Sequence, residues 1–376
     1  MAIKPADFYN KLTSHGVEFF TGVPDSLLKE FCLCIDDNIV GDKHIIAANE
    51  GNAVALAAGY YLAQKSIPLV YMQNSGLGNA INPLLSLCDS DVYSIPLLVL
   101  VGWRGEPGVK DEPQHTKQGK VQLELLKALD IPYKIISQNN NQFAMQISNG
   151  VEIAKTENRP VVLLIKKGTF EKYTTEIEKS PIQCMKREEA LEIILRNLDD
   201  NAIVVSTTGK TSREIFEIRE KRGQSHEQDF LTVGSMGHCS SIALGIALAK
   251  PHRQVVCIDG DGAMLMHLGS LTSIASLKPK NFRHILVNNE VHESVGGQET
   301  AAKNLDLSAI VEAMGSSKTF KAKTPTELKA NITDFMECVG PSFLEVKIRP
   351  GSREDLGRPT IKPVYNKENF MGFLEK

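Results

Sequence analysis

Apolar positions along this chain gather into short, β-branched runs separated by longer stretches with helical spacing. In the first half the runs are Val17–Gly22, His44–Ala48, Pro68–Met72, Pro96–Val101, Tyr133–Ile136 and Pro160–Ile165. Helical stretches such as Ser26–Ile35 and Ala53–Gln64 lie between them. Strands that alternate with helices in this way predict a parallel sheet covered on both faces. From Lys166 to Lys186 the apolar period lapses among Lys, Glu, Thr and Pro181, which reads as an interdomain linker. The pattern then restarts with Ala202–Ser206, Phe230–Val233, Gln254–Ile258, His284–Val287, Ser317–Lys321 and Phe343–Ile348, separated by helices such as Arg187–Leu198 and Thr326–Val339. The fold class expected is α/β, with two successive doubly wound parallel-sheet domains: 1–166, a linker over 167–186, and 187–349. Three prolines, Pro350, Pro359 and Pro363, mark 350–376 as an irregular C-terminal arm, which could wrap a neighbouring subunit but reads first as a mobile tail.

Composition agrees with this division and removes several functions. A single core stops growing at roughly 250–300 residues, and the chain has 376. With 42 Lys+Arg against 45 Asp+Glu, and no block of like charge at either end, it lacks a nucleic-acid footprint. The most continuous apolar stretch, Pro96–Trp103, is far short of the ~20 residues of a membrane helix. The N-terminus has no apolar signal core. Seven scattered cysteines lack the paired spacing of a zinc or redox site. A soluble, reduced, cytoplasmic protein is expected.

Candidate chemistry concentrates in Gln254-Val255-Val256-Cys257-Ile258-Asp259-Gly260-Asp261-Gly262, followed after 25 residues by Asn288-Asn289. Taken alone, Gly-Asp-Gly is an ordinary turn and Asn-Asn an ordinary loop. Here an apolar strand precedes the glycines, and Met264, Leu265, Leu268, Leu271 and Ile274 follow with helical spacing. The glycines therefore sit at a strand-to-helix junction, where backbone can approach a ligand and free N–H groups favour phosphate. Asp261 would repel a diphosphate, and a divalent cation resolves the conflict. Adjacent parallel strands would bring an Asn amide oxygen to the same ion, and an all-oxygen shell suits Mg²⁺.

This spacing resembles the cofactor motif of the thiamin-diphosphate enzymes. The resemblance implies Mg²⁺ ligation by Asp261, Asn289 and the Val291 carbonyl, with Gly260, Gly262 and Ala263 lining the cofactor. Ala47-Ala48-Asn49-Glu50-Gly51 resembles the segment whose glutamate meets the cofactor's aminopyrimidine, which implies that role for Glu50. Without the resemblance, Asn49 is a helix N-cap and Glu50 a favourable charge beside it. Gly234-Ser235-Met236-Gly237 is similar to the stretch where a bulky apolar residue bends the cofactor, and Thr207-Thr208-Gly209 resembles the diphosphate loop more loosely. Alone, Met236 would read as core. The matches cover nearly the whole chain, pyrimidine-binding domain first and diphosphate-binding domain second. Gly22-Val23-Pro24-Asp25-Ser26, the loop Gly102–His115 and Asn289–Gln298 are similar to the decarboxylases of phosphonopyruvate and sulfopyruvate. One departure is Glu290, where these proteins usually have glycine.

What the resemblance implies is a Mg²⁺- and thiamin-diphosphate-dependent decarboxylase of a 2-oxo acid phosphonate, phosphonopyruvate. Alternatives are sulfopyruvate, another 2-oxo acid, or a catalytically silent scaffold. Breaking the bond to the carboxylate leaves electrons that no side chain can hold, and the thiazolium accepts them. Glu50, its pKa raised in a water-poor cleft, would serve proton transfer at the pyrimidine. Arg104 and Lys110, in the loop after Pro96–Val101, suit an anionic substrate, with Asp25, Ser75 and Gln298 as further candidates near it. Each Arg or Lys alone is more often a solvated loop charge. His115 and then His292 are the proton-transfer candidates, although lone loop histidines are usually surface residues, and Asp25 could instead cap the helix Ser26–Ile35. The resemblance also implies at least a homodimer, in which Glu50 of one chain serves the metal site of its partner.

Overall fold

The computed structural model describes residues 2–39, 41–175, 184–315 and 318–376. They form two compact units. The first holds the described residues up to 175 together with Ser294–Gln298, and the second holds 184–293 and 299–376.

In the first unit the strands are β1 (Phe20–Gly22), β2 (His44–Ile46), β3 (Leu69–Gln73), β4 (Leu98–Gly102), β5 (Tyr133–Ile135) and β6 (Val161–Ile165). They pair in parallel in the order β2-β1-β3-β4-β6-β5. The central strands β4 and β6 are buried along their whole length, whereas the edge strands β2 and β5 are half-buried. Alternation explains why they read as continuous apolar runs. Leu98, Leu100, Leu163 and Ile165 face one core, while Val99, Val101, Val162 and Leu164 face the other. Each such side chain contributes about 1.5–3 kcal/mol by leaving water. On the first face Phe8 stacks with Phe143 and meets Phe31 and Phe170 edge-on, with ring centroids 5.2–5.9 Å apart.

The second unit repeats this plan. Its strands are β7 (Ile203–Ser206), β8 (Asp229–Leu231), β9 (Val255–Gly260), β10 (Phe282–Asn288), β11 (Lys318–Ala322) and β12 (Ser342–Lys347), in the order β11-β12-β10-β9-β7-β8. Read from β8, the succession is the same as in the first unit. The α/β class with two doubly wound parallel sheets is therefore the observed fold.

Several expected segments differ from the structure. Phe170 lies in the first core and bridges Ile3, Tyr173 N–H donates to Glu30, and Met185 bridges Ile348 of the second unit. The segment expected as linker is thus partly absorbed into both units, and 176–183 lies outside the described residues. Ser317, expected to open a strand, is also outside them, and β11 begins at Lys318. The C-terminal arm is not irregular throughout, because Pro363–Glu375 is a helix with Asn366, Phe370 and Phe373 buried. The single helix expected after Gly262 is broken. Asp261–Met266 and Leu271–Leu277 are α-helical, separated by His267 at φ −132° and a 3₁₀ turn over Leu268–Ser270. Among the described residues no helix is long and apolar enough to cross a membrane.

Candidate active site

In a doubly wound sheet the ligand crevice opens at the carboxyl ends of the strands where the winding reverses. In the second unit the reversal falls between β7 and β9, since β8 lies outside β7 and the chain then returns to β9. Thr208 and Gly209 follow β7, and Asp261 follows β9. Gly209, at φ +94°, turns the chain into the helix Lys210–Lys221 with no side-chain cap on its first N–H groups. Thr208 Oγ1 accepts from Gly234 N–H at 3.1 Å, tying that loop to the segment carrying Met236, which is half-buried. In that segment Gly234, Ser235 and Gly237 all have positive φ, a left-handed bend that glycine makes without strain.

Asp261 and Asn289 come from adjacent parallel strands, as Val287 pairs with Gly260 in register. Asp261 is 2% exposed, and burial pushes its carboxyl up to about 6 despite a 2.5 Å hydrogen bond from Thr300. A carboxyl with so little water around it gains most from a nearby cation. Asn289 donates through Nδ2 to Glu293 at 3.0 Å, and its oxygen accepts from Val291 N–H at 3.2 Å. Glu293 is itself held by Arg187 at 2.8 Å and Lys210 at 2.7 Å. These hydrogen bonds fix which end of the Asn289 amide is the oxygen, and Asp261 and Asn289 stand at neighbouring strand ends as oxygen groups that could hold a hard divalent cation, while the Val291 carbonyl accepts from Glu293 N–H at 2.9 Å. Around them Gly260 lies at 3.8 Å from Thr207 for an added Cβ, while Ala263 is buried. At Gly262 a Cβ would stand 3.0 Å from the His292 ring, so a side chain there would close the space.

Glu290, where glycine was expected, takes φ +61° and pairs with Lys347 Nζ at 2.6 Å. The left-handed turn explains the preference for glycine, and Lys347 neutralises the added charge. The partly buried imidazole of His292 is lowered to about 4 by burial.

In the first unit Glu50 opens the helix Glu50–Gln64, capped by Asn49, whose side chain accepts from Gly51 N–H. Glu50 is 5% exposed, and burial raises its pKa against a 2.8 Å hydrogen bond from Asn79. A Cβ on Gly76 would stand 2.4 Å from Glu50 Oε1, so glycine there leaves room for the carboxyl. At the winding reversal of this sheet, between β1 and β3, Asp25 is fully buried and accepts from Gln73 Nε2 at 2.6 Å and Leu27 N–H at 2.9 Å. Burial raises its pKa. Asp25 does not cap the following helix, which starts at Lys29 with Leu28 as N-cap. Ser75 is exposed and donates to Gln73 at 2.6 Å.

Arg104 lies just beyond β4, at the expected carboxyl end. Its fork is already engaged by Asp111, at 2.8 and 2.5 Å, and by Ser26 at 2.7 Å, so it is not a solvated loop charge. Lys110 is exposed. His115 is not in a loop, because it sits in the first turn of the helix Pro113–Ala128 and is 7% exposed. Burial, helped by Arg104, lowers it to about 4, and its Nδ1 has no hydrogen-bond partner. Gln298, grouped with the first unit, is buried and donates to Asp36 at 3.2 Å.

Thr300, Glu293, Asn79 and Asp111 carry the site residues but were not singled out in the sequence. For Thr300 and Asn79 no local motif could have found them, since they lie 39 and 29 residues from the groups they hold.

The comparisons with known proteins run along both units. Residues 207–346 match "Thiamine pyrophosphate enzyme, C-terminal TPP binding domain", and residues 6–126 match "Thiamine pyrophosphate enzyme, N-terminal TPP binding domain". The chain is 33% identical to a phosphonopyruvate decarboxylase of Streptomyces viridochromogenes, over 99% of this chain and 95% of that one. It is 34% identical to a phosphonopyruvate decarboxylase of Streptomyces hygroscopicus, over 99% of this chain and 94% of the other. Identity to a sulfopyruvate decarboxylase of Methanosarcina acetivorans is 29%, covering 90% and 89%. The chain belongs to the thiamine pyrophosphate enzymes, in the family of the phosphonopyruvate decarboxylases.

Proposed function

We propose that this protein decarboxylates 3-phosphonopyruvate to phosphonoacetaldehyde and CO₂, using thiamin diphosphate and Mg²⁺. The observation that carries the reading is the buried Asp261 carboxyl set beside the oriented Asn289 amide at adjacent strand ends. Similarity to two phosphonopyruvate decarboxylases over nearly the full chain supports the substrate. Asp261, Asn289 and the Val291 carbonyl would hold the ion, and Gly260, Gly262 and Ala263 would line the cofactor. Thr208, Gly209 and the uncapped start of Lys210–Lys221 would receive the diphosphate. Gly234 and Met236 would bear on its far side.

When bound, thiamin diphosphate supplies the sink for the electron pair left by the departing carboxylate. Glu50, its carboxyl pKa raised by burial, is the group to exchange a proton with a ring nitrogen placed against it. The reaction consumes one proton for each CO₂ released, because the bond to carbon lost on one side is replaced by a bond to hydrogen. His115 and His292, both lowered to about 4 and therefore neutral at pH 7, are the groups to relay it. Lys110 and the Arg104–Asp111 pair face the anionic substrate, with Asp25, Ser75 and Gln298 as polar contacts. We further propose that the protein works as at least a homodimer, with Glu50 of one subunit serving the metal-binding residues of the other.

The test is CO₂ release from phosphonopyruvate, sulfopyruvate and pyruvate in parallel, compared by kcat/KM. Phosphonopyruvate should lead, and a win for sulfopyruvate would replace the substrate while leaving the residue roles standing. Asp261→Ala should abolish the Mg²⁺-dependent spectral change on titration with thiamin diphosphate. Full activity of that variant without added metal would overturn the reading. A wild-type chain that binds the cofactor yet releases no CO₂ from any of the three would mark a silent scaffold.

A further inference from the structure

Beneath the carboxyl end of β9, on the same face of the sheet, lies a second cluster that the proposed chemistry does not use. Cys257 and Asp259 are two positions apart on β9, and His284 is the in-register partner of Cys257 on β10. All three are buried, at 0%, 0% and 3% exposure. The Cys257 sulfur, an Asp259 oxygen and a His284 nitrogen all lie within 4.8 Å of one another. Two of these polar atoms lack a hydrogen bond. Asp259 Oδ2 and His284 Nε2 make no hydrogen bond and face each other at 3.7 Å, too far for one. Cys239, the first residue of the helix Cys239–Ala249, adds a second sulfur 3.4 Å from that of Cys257, with its thiol directed to the Val205 carbonyl.

Polar atoms left at this separation without a hydrogen bond are costly in so dry an interior, and an ion seated between them would satisfy both. A divalent cation fits chemically. Thiolate, imidazole and carboxylate together are a zinc donor set, with distances of about 2.3 Å to sulfur and about 2.0–2.2 Å to nitrogen and oxygen, so tetrahedral donors stand roughly 3.3–3.8 Å apart. The His–Asp separation of 3.7 Å already falls in that range. A Cys257 thiolate, an Asp259 carboxylate and a neutral His284 also balance a 2+ ion without residual charge, which a buried site requires. Calcium and magnesium do not take sulfur ligands, so this site is distinct in kind from the oxygen set at Asp261.

We propose that Cys257, Asp259 and His284 form a structural site for zinc or a similar soft divalent ion. With every donor buried, the ion enters as the chain folds and not by exchange into the native protein. Donors too far apart in sequence to make a paired motif are brought together by the pairing of β9 with β10.

The experiment refolds the full chain in Co²⁺ or Zn²⁺, dialyses it against a chelator strong enough to strip Mg²⁺, and measures metal per chain by mass spectrometry. One retained ion per chain is expected, with thiolate-to-cobalt charge-transfer absorption in the Co²⁺ protein. Cys257→Ser and His284→Asn should lose both, while Asp261→Ala keeps them. Because those variants could fail to fold, the wild-type chain decides: no retained ion and no charge-transfer band after refolding overturns the proposal. A band that survives in folded Cys257→Ser also overturns it, and so does a Cys239–Cys257 disulfide in protein purified under reducing conditions.

Discussion

Among individual residues, burial decides what each ionisable group can do. His115 has a pKa of about 4 in the fold against 6.5 in an exposed chain, first because it is buried and then because Arg104 is near. Below pH 6.5 the unfolded chain takes up a proton that the folded protein refuses until about pH 4. Stability therefore falls as pH drops through that window and is indifferent to His115 above it. His115→Asn should lessen the slope of unfolding free energy against pH between 6.5 and 4 by close to one proton, read from urea midpoints across pH. An unchanged slope would mean that His115 is solvated. Glu290 gives a second case. A non-glycine residue in the left-handed region costs roughly 1–2 kcal/mol, whereas a partly exposed ion pair like that with Lys347 returns about 0–1 kcal/mol. Glu290→Gly should therefore leave the protein as stable or slightly more stable in urea, and Glu290→Ala less stable than either. The placement of Asp261, Asn289 and Glu50 was legible because it depends on a local strand-to-helix junction, a neighbouring strand end and a capped helix start. Thr300 and Lys347 were not, since they reach Asp261 and Glu290 from 39 and 57 residues away.

Elements were legible where local spacing and burial agree. The central strands read clearly because both faces are covered, and the sequence therefore shows unbroken apolar runs in Leu98–Gly102 and Val161–Ile165. Helices misread where a breaker has another use. Pro363 looked like a sign of irregular chain, yet proline at a first helical position costs no hydrogen bond and opens the final helix. That helix covers β8, an edge strand. Asn366 Nδ2 donates to the Asp229 carbonyl at 2.9 Å, Phe370 meets Phe230 with centroids 5.4 Å apart, and Arg253 lies over the Phe373 ring at 4.3 Å. Such a cover withdraws an edge from pairing with other chains. Phe370→Ala should destabilise the second unit by about 3–5 kcal/mol and expose the β8 edge. Both effects can be measured, by a lowered urea midpoint and by faster hydrogen exchange at Phe230 and Leu231. A midpoint within experimental error of wild type would show that the helix packs loosely.

At the scale of the whole molecule, the two units share one strand order, because topology constrains which positions are apolar and not which apolar residue fills them. The division was legible from the apolar runs. Its boundary was not, since Phe170 and Met185 join cores that only the folded chain defines. The proposed chemistry assigns Glu50 to one unit and Asp261 with Asn289 to the other. If one cofactor meets Glu50 of one subunit and Asp261 of its partner, the two residues can be inactivated on different chains. Glu50→Ala and Asp261→Ala homodimers would each lack one half of every site. A mixed dimer places both lesions in one site and leaves the other intact, so subunit exchange between the two inactive variants should restore up to half the specific activity per mixed dimer. Exchange is followed independently with a tag on one variant, and activity is expected to rise with the mixed fraction. Demonstrated exchange with no recovered CO₂ release would mean that Glu50 and Asp261 of a single chain serve the same cofactor.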